Sequence, residues 1–286
     1  GKCLPMPAIL MHCNYYEKQI PTLFDKAKFF GYDGVELRGS HEDLSTAQYV
    51  AFIKEQMDRT GLTNVVVACP CNLNNADADA RAAEVEKASD LLRQAAGIGV
   101  NLFNTMAGSM VAQGVPYSEF HLNGSGCATW EQWAWAVEGY QALGAVASEL
   151  GVKMAFETHN GYIHDLAKPC AEFLRRINSP AIGANLDMGN IVLNIKGEPL
   201  LVAIETLGDK LYYNHLKNIY KPSTGGYIVC ALPDGVIDNR VWLRELQKAG
   251  NESPICLEEP RLGDRDYFAK QDIDYIRSIL SDLAWS

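Results

Sequence analysis

The amino-acid sequence predicts an α/β protein built as one (β/α)8 barrel domain spanning residues 1–286. Short apolar runs alternate eight times with longer stretches of helical periodicity between Ala8 and the C-terminus. Most of these runs are apolar throughout, which is typical of parallel strands that are buried on both faces. Dividing 286 residues by 8 gives about 36 per unit, close to the roughly 30 that a strand–helix–strand unit requires. An open, doubly wound sheet is the alternative, but no glycine-rich dinucleotide or phosphate-loop fingerprint favours it.

The strand candidates follow one another at intervals that fit repeated strand–helix units. In chain order they are Ala8–Cys13, Gly34–Arg38, Asn64–Cys69, Asn101–Met106, Lys153–Glu157, Ile182–Asp187, Leu211–His215 and Ile255–Glu258. The clearest helical stretch between strands is predicted over Asp77–Ala96. Its apolar residues recur at three- and four-residue spacing and are Val85, Ala88, Leu92 and Ala95. Five glycines that follow helical stretches predict left-handed helix ends; they are Gly31, Gly61, Gly97, Gly151 and Gly250.

The composition is that of a folded globular protein, with 48% hydrophobic and 21% charged residues. This excludes a disordered, collagen-like or disulfide-scaffold chain. Lys and Arg number 25 and Asp and Glu number 35, so the net charge is −10. Because so acidic a chain repels a phosphate backbone, nucleic acid is not expected as a partner.

The compartment is predicted from three features of the chain. No apolar run approaches the roughly 20 residues of a membrane span. The segment Gly1–Pro7 lacks the basic and apolar parts of a signal peptide. The eight cysteines show no CxxC pair and no zinc-finger spacing, which favours reduced thiols. We therefore expect a cytoplasmic protein without membrane partners, and a targeting segment removed ahead of Gly1 is left open.

The last four strands each end in a side chain that can ligate a divalent cation. These side chains are Glu157, Asp187, His215 and Glu258. Because the carboxyl ends of barrel strands meet at one mouth, residues far apart in the sequence converge there. Three crowded carboxylates raise one another's pKa unless a positive charge lies between them. Carboxylate oxygens and one imidazole together predict one divalent ion, Mn²⁺, Mg²⁺, Co²⁺ or Zn²⁺, rather than a thiolate-bound metal.

Each of these four residues also has an ordinary structural interpretation. Asp187 suits the N-cap of the next helix, and His215 suits a hydrogen-bonded histidine of the core. Either glutamate has a basic candidate partner in Lys153 or Arg261. Their common position at strand ends nevertheless favours a metal site over four separate structural roles.

Six segments, taken in order, resemble the xylose-isomerase-like TIM barrels. They are GYDGVELRG, FETHNG, LDMGN, HLKN, PDGVIDNRVWLREL and CLEEP, and they extend over nearly the whole barrel. This broad family contains sugar isomerases and epimerases and also the endonuclease IV group of DNA-repair enzymes. Its members typically bind one divalent cation through a Glu, Asp, His, Glu set, which the resemblance assigns to Glu157, Asp187, His215 and Glu258. Glu259 is the weaker alternative for the last ligand, because the family's Glu-x-Pro ending matches Glu258.

The chain departs from two branches of this family. The three-zinc endonucleases carry additional histidines where this chain has Asn104 and Asn190, so the resemblance does not extend to the nucleases. The ketose 3-epimerases usually have a histidine three residues after the aspartate ligand, where this chain again has Asn190. A Gly-Asn pair at this place resembles members with inositol-derived, keto-acid or unassigned sugar substrates.

The cluster predicts proton transfer next to a carbonyl group. A bound cation polarises the carbonyl of a polyol and stabilises the enediolate that forms when the neighbouring C–H loses its proton. Glu157 and Glu258 come from non-adjacent strands, so one is expected to remove the proton and the other to return it. We therefore expect a metal-dependent sugar or polyol isomerase or epimerase with these two catalytic glutamates. The same site on a keto-sugar or keto-inositol suits a dehydratase or lyase, and a sugar-binding barrel without turnover is the third alternative.

Five further residues near strand ends are candidates for substrate binding: His159, Asn190, Lys217, Arg38 and His12. Lys217 would neutralise an enediolate or an anionic group of the substrate. His159 would donate to a substrate oxygen, with a capping or solvent-exposed role as the alternative. Arg38 would hold an anionic group, although pairing with Glu36 or Glu42 is the plainer interpretation. The expected partner is a small sugar or polyol, and since many barrels of this size pair, a homodimer is also expected.

Overall fold

The computed structural model describes residues 5–17, 19–258 and 261–285. In chain order its strands are β1 Ile9–His12, β2 Gly34–Leu37, β3 Asn64–Ala68, β4 Leu102–Thr105, β5 Lys153–Glu157, β6 Ile182–Asp187, β7 Leu211–Leu216, β8 Asn218–Tyr220, β9 Ile228–Cys230 and β10 Ile255–Leu257. Strands β1 to β7 and β10 form a closed parallel barrel, in which β1 pairs with both β2 and β10. Strands β8 and β9 form a separate antiparallel hairpin. The expected (β/α)8 TIM barrel is therefore confirmed.

Helices surround the barrel between successive strands. They are α1 Ile20–Phe30, α2 Thr46–Thr60, α3 Ala78–Ala96, α4 Trp130–Leu150, α5 Ala167–Ile177, α6 Met188–Ile191, α7 Leu200–Leu207, α8 Asn239–Lys248 and α9 Arg265–Asp282. Helix α3 begins one residue later than predicted, because Asp77 is its N-cap and accepts hydrogen bonds from the backbone of Asp79 and Ala80. In the described part of the chain, no helix is both long enough and apolar enough to cross a membrane.

Glycines mark several of the helix ends, as expected. Three of them form left-handed caps, with φ between 68° and 81°: Gly31, Gly61 and Gly151. Gly250 also has a positive φ of 67°, although it lies two residues beyond the end of α8. The prediction for Gly97 is wrong. Its φ is −61° because its N–H still bonds to the carbonyl of Arg93 in helical fashion, and Gly99, with φ of 97°, makes the left-handed turn instead.

Two layers of side chains fill the barrel interior. The layer nearer the amino ends of the strands is apolar and consists of Leu10, Val66, Leu102, Ala155, Tyr213 and Cys256. Because side chains alternate along a strand, the residue two positions later lies on the same face, one layer nearer the carboxyl end. On five of these six strands that residue is polar: His12, Asn104, Glu157, His215 and Glu258. The strand period therefore stacks a polar layer on an apolar one, at the end of the barrel where active sites are built.

Asp165, in the loop that leads into α5, is a buried carboxyl with an incomplete set of partners. Its Oδ2 accepts from the backbone N–H of Ser125 at 3.1 Å, whereas its Oδ1 has no hydrogen-bond partner. Burial raises the pKa of this carboxyl from 3.8 to about 7, against the hydrogen bonds from Ser125. The folded protein therefore retains this proton at pH values where the unfolded chain has lost it.

We expect the contribution of Asp165 to the free energy of unfolding to fall as the pH rises from about 4 to about 7, by up to roughly 4 kcal/mol, and then to level off. Asp165→Asn removes the titrating group, so its stability should decline less over this range. Urea unfolding at several pH values measures the difference, with the exposed Asp43→Asn as the control. Parallel stability curves for Asp165→Asn and the parent protein would contradict the expectation.

Candidate metal centre

The four predicted ligands come together at the carboxyl end of the barrel. Glu157 ends β5, Asp187 ends β6, His215 lies in β7 and Glu258 directly follows β10. All four are buried, and one ligand atom from each lies within 4.8 Å of the others. The structure thus brings the four side chains close enough to share one ion. Glu259, the weaker alternative for the last ligand, lies outside the described residues.

The ring of His215 is held on one side and left without a partner on the other. Its Nε2 lies 2.6 Å from Glu36 Oε2, within hydrogen-bond distance. Its Nδ1 is buried without a hydrogen bond, 3.6 Å from Glu157 Oε2 and 3.9 Å from Glu258 Oε2. A buried polar atom without a partner is costly unless something occupies the space it faces. An imidazole nitrogen that faces carboxylate oxygens is a donor set that fits a divalent cation.

Asp187 is both the N-cap of α6 and a candidate metal ligand. Its Oδ1 accepts from Asn190 N at 3.0 Å and so caps the short helix α6, as the structural alternative expected. Its Oδ2 lies 2.9 Å from Lys217 Nζ, yet it has no hydrogen bond of good geometry. Capping therefore uses only one oxygen and leaves the other for an ion.

Burial and neighbouring charges shift the pKa of three members of the cluster. Burial raises the pKa of Asp187 to about 8, despite the opposing charge of Lys217. Burial also opposes ionisation of Glu258, but the charges of Lys217 and His215 outweigh it and hold its pKa below the usual range. For His215, burial disfavours the charged form, yet Glu36 and Glu157 raise its pKa to about 10. The cluster is therefore one that attracts and retains positive charge.

Lys217 provides part of that positive charge within the site. Its Nζ donates to Glu258 Oε2 at 2.9 Å and lies equally close to Asp187 Oδ2. The side chain is only 8% exposed. Because an ammonium group has three N–H donors, contact with two carboxylates leaves one donor for a bound molecule.

Gly189 leaves the space through which the Lys217 side chain passes. A Cβ at this position would lie 2.4 Å from Lys217 Cγ and 2.6 Å from its Cε. We expect Gly189→Ala to displace the Lys217 ammonium group and to lower the free energy of unfolding by about 1–3 kcal/mol. In a Lys217→Ala background the same change should cost much less, because the clashing atoms are gone. A double-mutant cycle from urea unfolding measures this, and equal costs in the two backgrounds would show that Lys217 is not the obstacle.

The structure also places the other predicted residues. The Asn190 amide donates to Glu157 Oε1 at 3.2 Å and to the carbonyl of Thr158. His12 Nδ1 accepts from Asn14 N at 3.0 Å, and its Nε2 lies 3.6 Å from Glu36 Oε1. His159 is half-buried and its Nδ1 lies 2.9 Å from the carbonyl oxygen of Asn160.

The three basic residues considered as ion-pair partners have other contacts. Arg38 is exposed and donates to Asn14 Oδ1 at 2.8 Å, whereas its neighbour Glu36 is occupied within the barrel. Lys153 lies over the Tyr212 ring, 4.0 Å from the centroid. Arg261 pairs with Asp272 at 2.9 Å. These contacts account for Lys153 and Arg261 without the two glutamates of the cluster.

Sequence reasoning missed the most central carboxylate, that of Glu36. It is 1% exposed and accepts hydrogen bonds from Tyr213 OH at 2.6 Å and from Asn104 Nδ2 at 3.2 Å. Burial opposes its ionisation, but the charges of His215 and His12 lower its pKa to about 2. The available signal was a glutamate at the inward-facing position of the otherwise apolar strand β2.

His164 was also missed, and it fixes the end of β5. It is fully buried; its Nε2 accepts from Ala107 N at 3.1 Å, so its Nδ1 donates to the carbonyl of Glu157 at 2.5 Å. Burial lowers its pKa to about 3, and it stays neutral. The imidazole thus ties the backbone of Glu157 to the loop that follows β4.

A cavity of about 630 Å³ opens onto the cluster. Near the cluster its walls include Glu157, Glu258 and His159, and its outer part is lined by Arg38 and Lys87. This volume lies within the range of roughly 300–1,000 Å³ that is usual for small-molecule sites. The cavity gives a small molecule access to two of the four clustered side chains, Glu157 and Glu258.

Comparison with known proteins identifies the kind of barrel. The family model described as xylose isomerase-like TIM barrel matches residues 24–279. Comparison with curated proteins found no match.

Several solved structures share the fold over nearly the whole chain. A D-psicose 3-epimerase from Clostridium cellulolyticum H10, solved with D-tagatose, is 19% identical, with 96% of this chain and 99% of that chain covered and a TM-score of 0.76. The probable 3-DHS dehydratase AsbF of Bacillus anthracis is 15% identical, with 94% and 98% covered and a TM-score of 0.75. A xylose isomerase-like TIM barrel protein from Mycobacterium smegmatis, in complex with magnesium, is 16% identical, with 98% of each chain covered and a TM-score of 0.73. At these identities the likeness concerns the fold.

Proposed function

The chain belongs to the xylose isomerase-like TIM barrel family, and from this premise we propose that it is a divalent-metal-dependent isomerase or epimerase of a sugar or polyol. One observation carries the proposal. The carboxylates of Glu157 and Glu258, from the non-adjacent strands β5 and β10, both line the cavity and both face the unpartnered Nδ1 of His215. A metal-binding cluster flanked by two glutamates is the arrangement that proton exchange next to a carbonyl requires.

The proposed ligands are Glu157, Asp187, His215 and Glu258. A divalent ion held by them supplies Lewis-acid polarisation of a substrate carbonyl when it is bound. Glu157 removes a proton from the carbon next to that carbonyl, and Glu258 returns one to the opposite face, or the two exchange roles in the reverse direction. A single glutamate that returns the proton to the neighbouring carbon gives aldose–ketose isomerisation instead.

The surrounding side chains orient these two bases. Glu157 receives N–H donors from Asn104 at 3.0 Å and from Asn190 at 3.2 Å, one on each oxygen. These two donors fix the orientation of the carboxylate. Lys217 binds Glu258 and keeps an N–H for a substrate oxygen or anionic group.

The remaining proposed substrate-binding residues border the cavity or contact the cluster. His159 and His12 border the cavity close to the glutamates, and Arg38 borders its outer part. Asn190 has its amide donors committed to Glu157 and Thr158, so we propose that it acts on the substrate through the position of Glu157.

A dehydratase or lyase is the second candidate, and one observation favours it. The position where ketose 3-epimerases usually carry a histidine is Asn190, whose amide is spent within the protein. The site then lacks that polar contact to a ketose. Elimination of water after proton removal needs the same two glutamates and the same ion.

Incubation with ketoses and keto-inositols in D₂O with Mn²⁺ tests the proposal. An isomerase or epimerase is expected to introduce deuterium at the carbon next to the carbonyl while the product otherwise keeps the mass of the substrate. Loss of the mass of one water identifies a dehydratase. Binding without either change, before any mutation, would instead indicate a sugar-binding barrel.

A further inference from the structure

His215 is shared by two groups of potential ligands. One group contains Glu157, Asp187 and Glu258, and the other contains Glu36 and Cys256. A neutral imidazole carries a proton on one ring nitrogen and a lone pair on the other. Only one of the two groups can therefore use His215 to hold an ion, and the residue that fixes the proton decides which.

The contacts of Glu36 fix that proton. Its Oε2 lies 2.6 Å from His215 Nε2 and accepts from Tyr213 OH at the same distance. Its Oε1 accepts from Asn104 Nδ2 at 3.2 Å and lies 3.6 Å from His12 Nε2. Tyr213 and Asn104 both donate to this buried carboxylate, and an ionised carboxylate has no hydrogen to offer in return. The Nε2 of His215 must then carry the hydrogen of the shared contact, so an ion that binds this ring binds it at Nδ1.

The orientation of Asn104 is fixed by the next residue in the network. Asn185 Nδ2 donates to Asn104 Oδ1 at 3.0 Å, which turns the Asn104 amide nitrogen toward Glu36 Oε1 and Glu157 Oε2. The amide nitrogen of Asn104 thus donates to two carboxylates. The same amide that helps to hold Glu36 also holds Glu157.

The second group offers a poor site for an ion. Cys256 lies in the apolar layer of the barrel with Leu10, Val66 and Leu102, and it is fully buried. The Oε2 atom of Glu36 already has Tyr213 OH and His215 Nε2 at 2.6 Å. An ion bound between Glu36 and Cys256 would displace the contacts of Tyr213 and His215 with Glu36. It would also lie next to the apolar layer, where burying a charge is costly.

We infer that Glu36 is a positioning residue that keeps the proton of His215 on Nε2 and so reserves Nδ1 for a divalent ion held by Glu157, Asp187 and Glu258. This inference rests on the proposed metal-dependent function. It deepens that proposal by adding Glu36, a carboxylate that orients the metal-binding histidine without binding the ion itself. Partners that orient a metal-bound histidine typically change metal affinity roughly 10- to 100-fold when they are replaced.

The first test reads the tautomer directly. The full chain is labelled with ¹⁵N-histidine, saturated with Zn²⁺, which is diamagnetic, and examined by NMR, with His215→Gln used to assign the signal. The expected result is a proton on Nε2 and a metal-shifted Nδ1 for His215. A proton on Nδ1 with zinc on Nε2 would overturn the inference.

The second test compares Zn²⁺ and Mn²⁺ affinity by calorimetry in three variants of nearly unchanged size. Glu36→Gln is expected to weaken binding roughly 10- to 100-fold, and Tyr213→Phe, which removes one donor to Glu36, to weaken it less. Cys256→Ser should leave affinity within about twofold of the parent, since Cys256 is no ligand in this arrangement. Loss of affinity in Cys256→Ser but not in Glu36→Gln would reverse the assignment.

The two tests separate the inference from the proposed function. Zinc on Nδ1 together with no deuterium exchange on any substrate would leave the positioning role intact and remove the isomerase. Deuterium exchange together with zinc on Nε2 would support the isomerase and overturn the positioning role of Glu36. A parent protein that binds no divalent ion would overturn both, and if Glu36→Gln fails to fold, the tautomer of the parent still decides.

Discussion

Glutamine at position 157 or 258 is expected to lower turnover by roughly 10²- to 10⁴-fold, the usual contribution of a positioned proton-transfer group. Glutamine keeps the size of the side chain, but its amide group cannot act as a general base or general acid at neutral pH. In Glu157→Gln the new NH₂ group also meets an N–H donor of Asn104 or Asn190, both of which point at the present oxygens. We therefore expect Glu157→Gln to be the less stable of the two variants. Steady-state rates, with metal content per chain, measure the loss.

A glutamate outside the site provides the control. Glu172 lies on α5 and pairs with Arg175 and Arg176 at 2.7 Å, and Glu172→Gln is expected to retain full turnover. Metal content separates loss of a base from loss of a ligand, because an inactive variant that still holds one ion per chain has lost the base. More than about a tenth of parent activity in metal-replete Glu157→Gln would exclude it as the essential base.

Removal of divalent ions is expected to abolish turnover and to lower the melting temperature, and both should recover when the ion is added back. Lys217 and His215 are positive neighbours of the carboxylates of Glu157, Asp187 and Glu258. An ion that binds the folded cluster but not the unfolded chain makes binding a source of stability. At an ion concentration about 100 times Kd the gain is about 2.7 kcal/mol.

Calorimetric melting with and without chelator, and in a series of Mn²⁺, Mg²⁺, Co²⁺ and Zn²⁺, measures this effect. Asp187→Asn keeps the capping oxygen but removes one charge, so its response to the ions should be much smaller. The exposed Asp43→Asn should respond like the parent protein. Undiminished turnover in protein shown by elemental analysis to be free of metal would rule out the metal-dependent mechanism.

The barrel strands were predictable from the sequence because the pattern that marks each strand lies within the strand itself. Two predicted strands, Lys153–Glu157 and Ile182–Asp187, agree with β5 and β6 residue for residue, since continuous apolar runs are what a doubly covered parallel strand contains. The same rule located the strand ends, and thereby the four clustered side chains. The error at Gly97 is local too, because the last turn of α3 continues past the glycine and the left-handed residue is displaced to Gly99.

Glu36 was not predictable in the same way, because its role depends on contacts across the barrel. Its partner His215 is 179 residues away in the sequence. Within its own segment, the glutamate stands near Arg38 and Glu42, and a surface pairing was the plainer interpretation. Only closure of the sheet brings β2 and β7, which are separated by β1 and β10, to face one interior, where this carboxylate meets the imidazole.

The apolar layer of Leu10, Val66 and Leu102 beneath the cluster has a kinetic consequence. Because it closes the interior on the amino-terminal side, the ion and the substrate of the proposed function would both enter through the carboxyl-terminal opening. A substrate bound over the glutamates would then block the path of the ion. For the proposed enzyme we therefore expect ordered addition, with the ion first, and slower removal of the ion by chelators while substrate is bound.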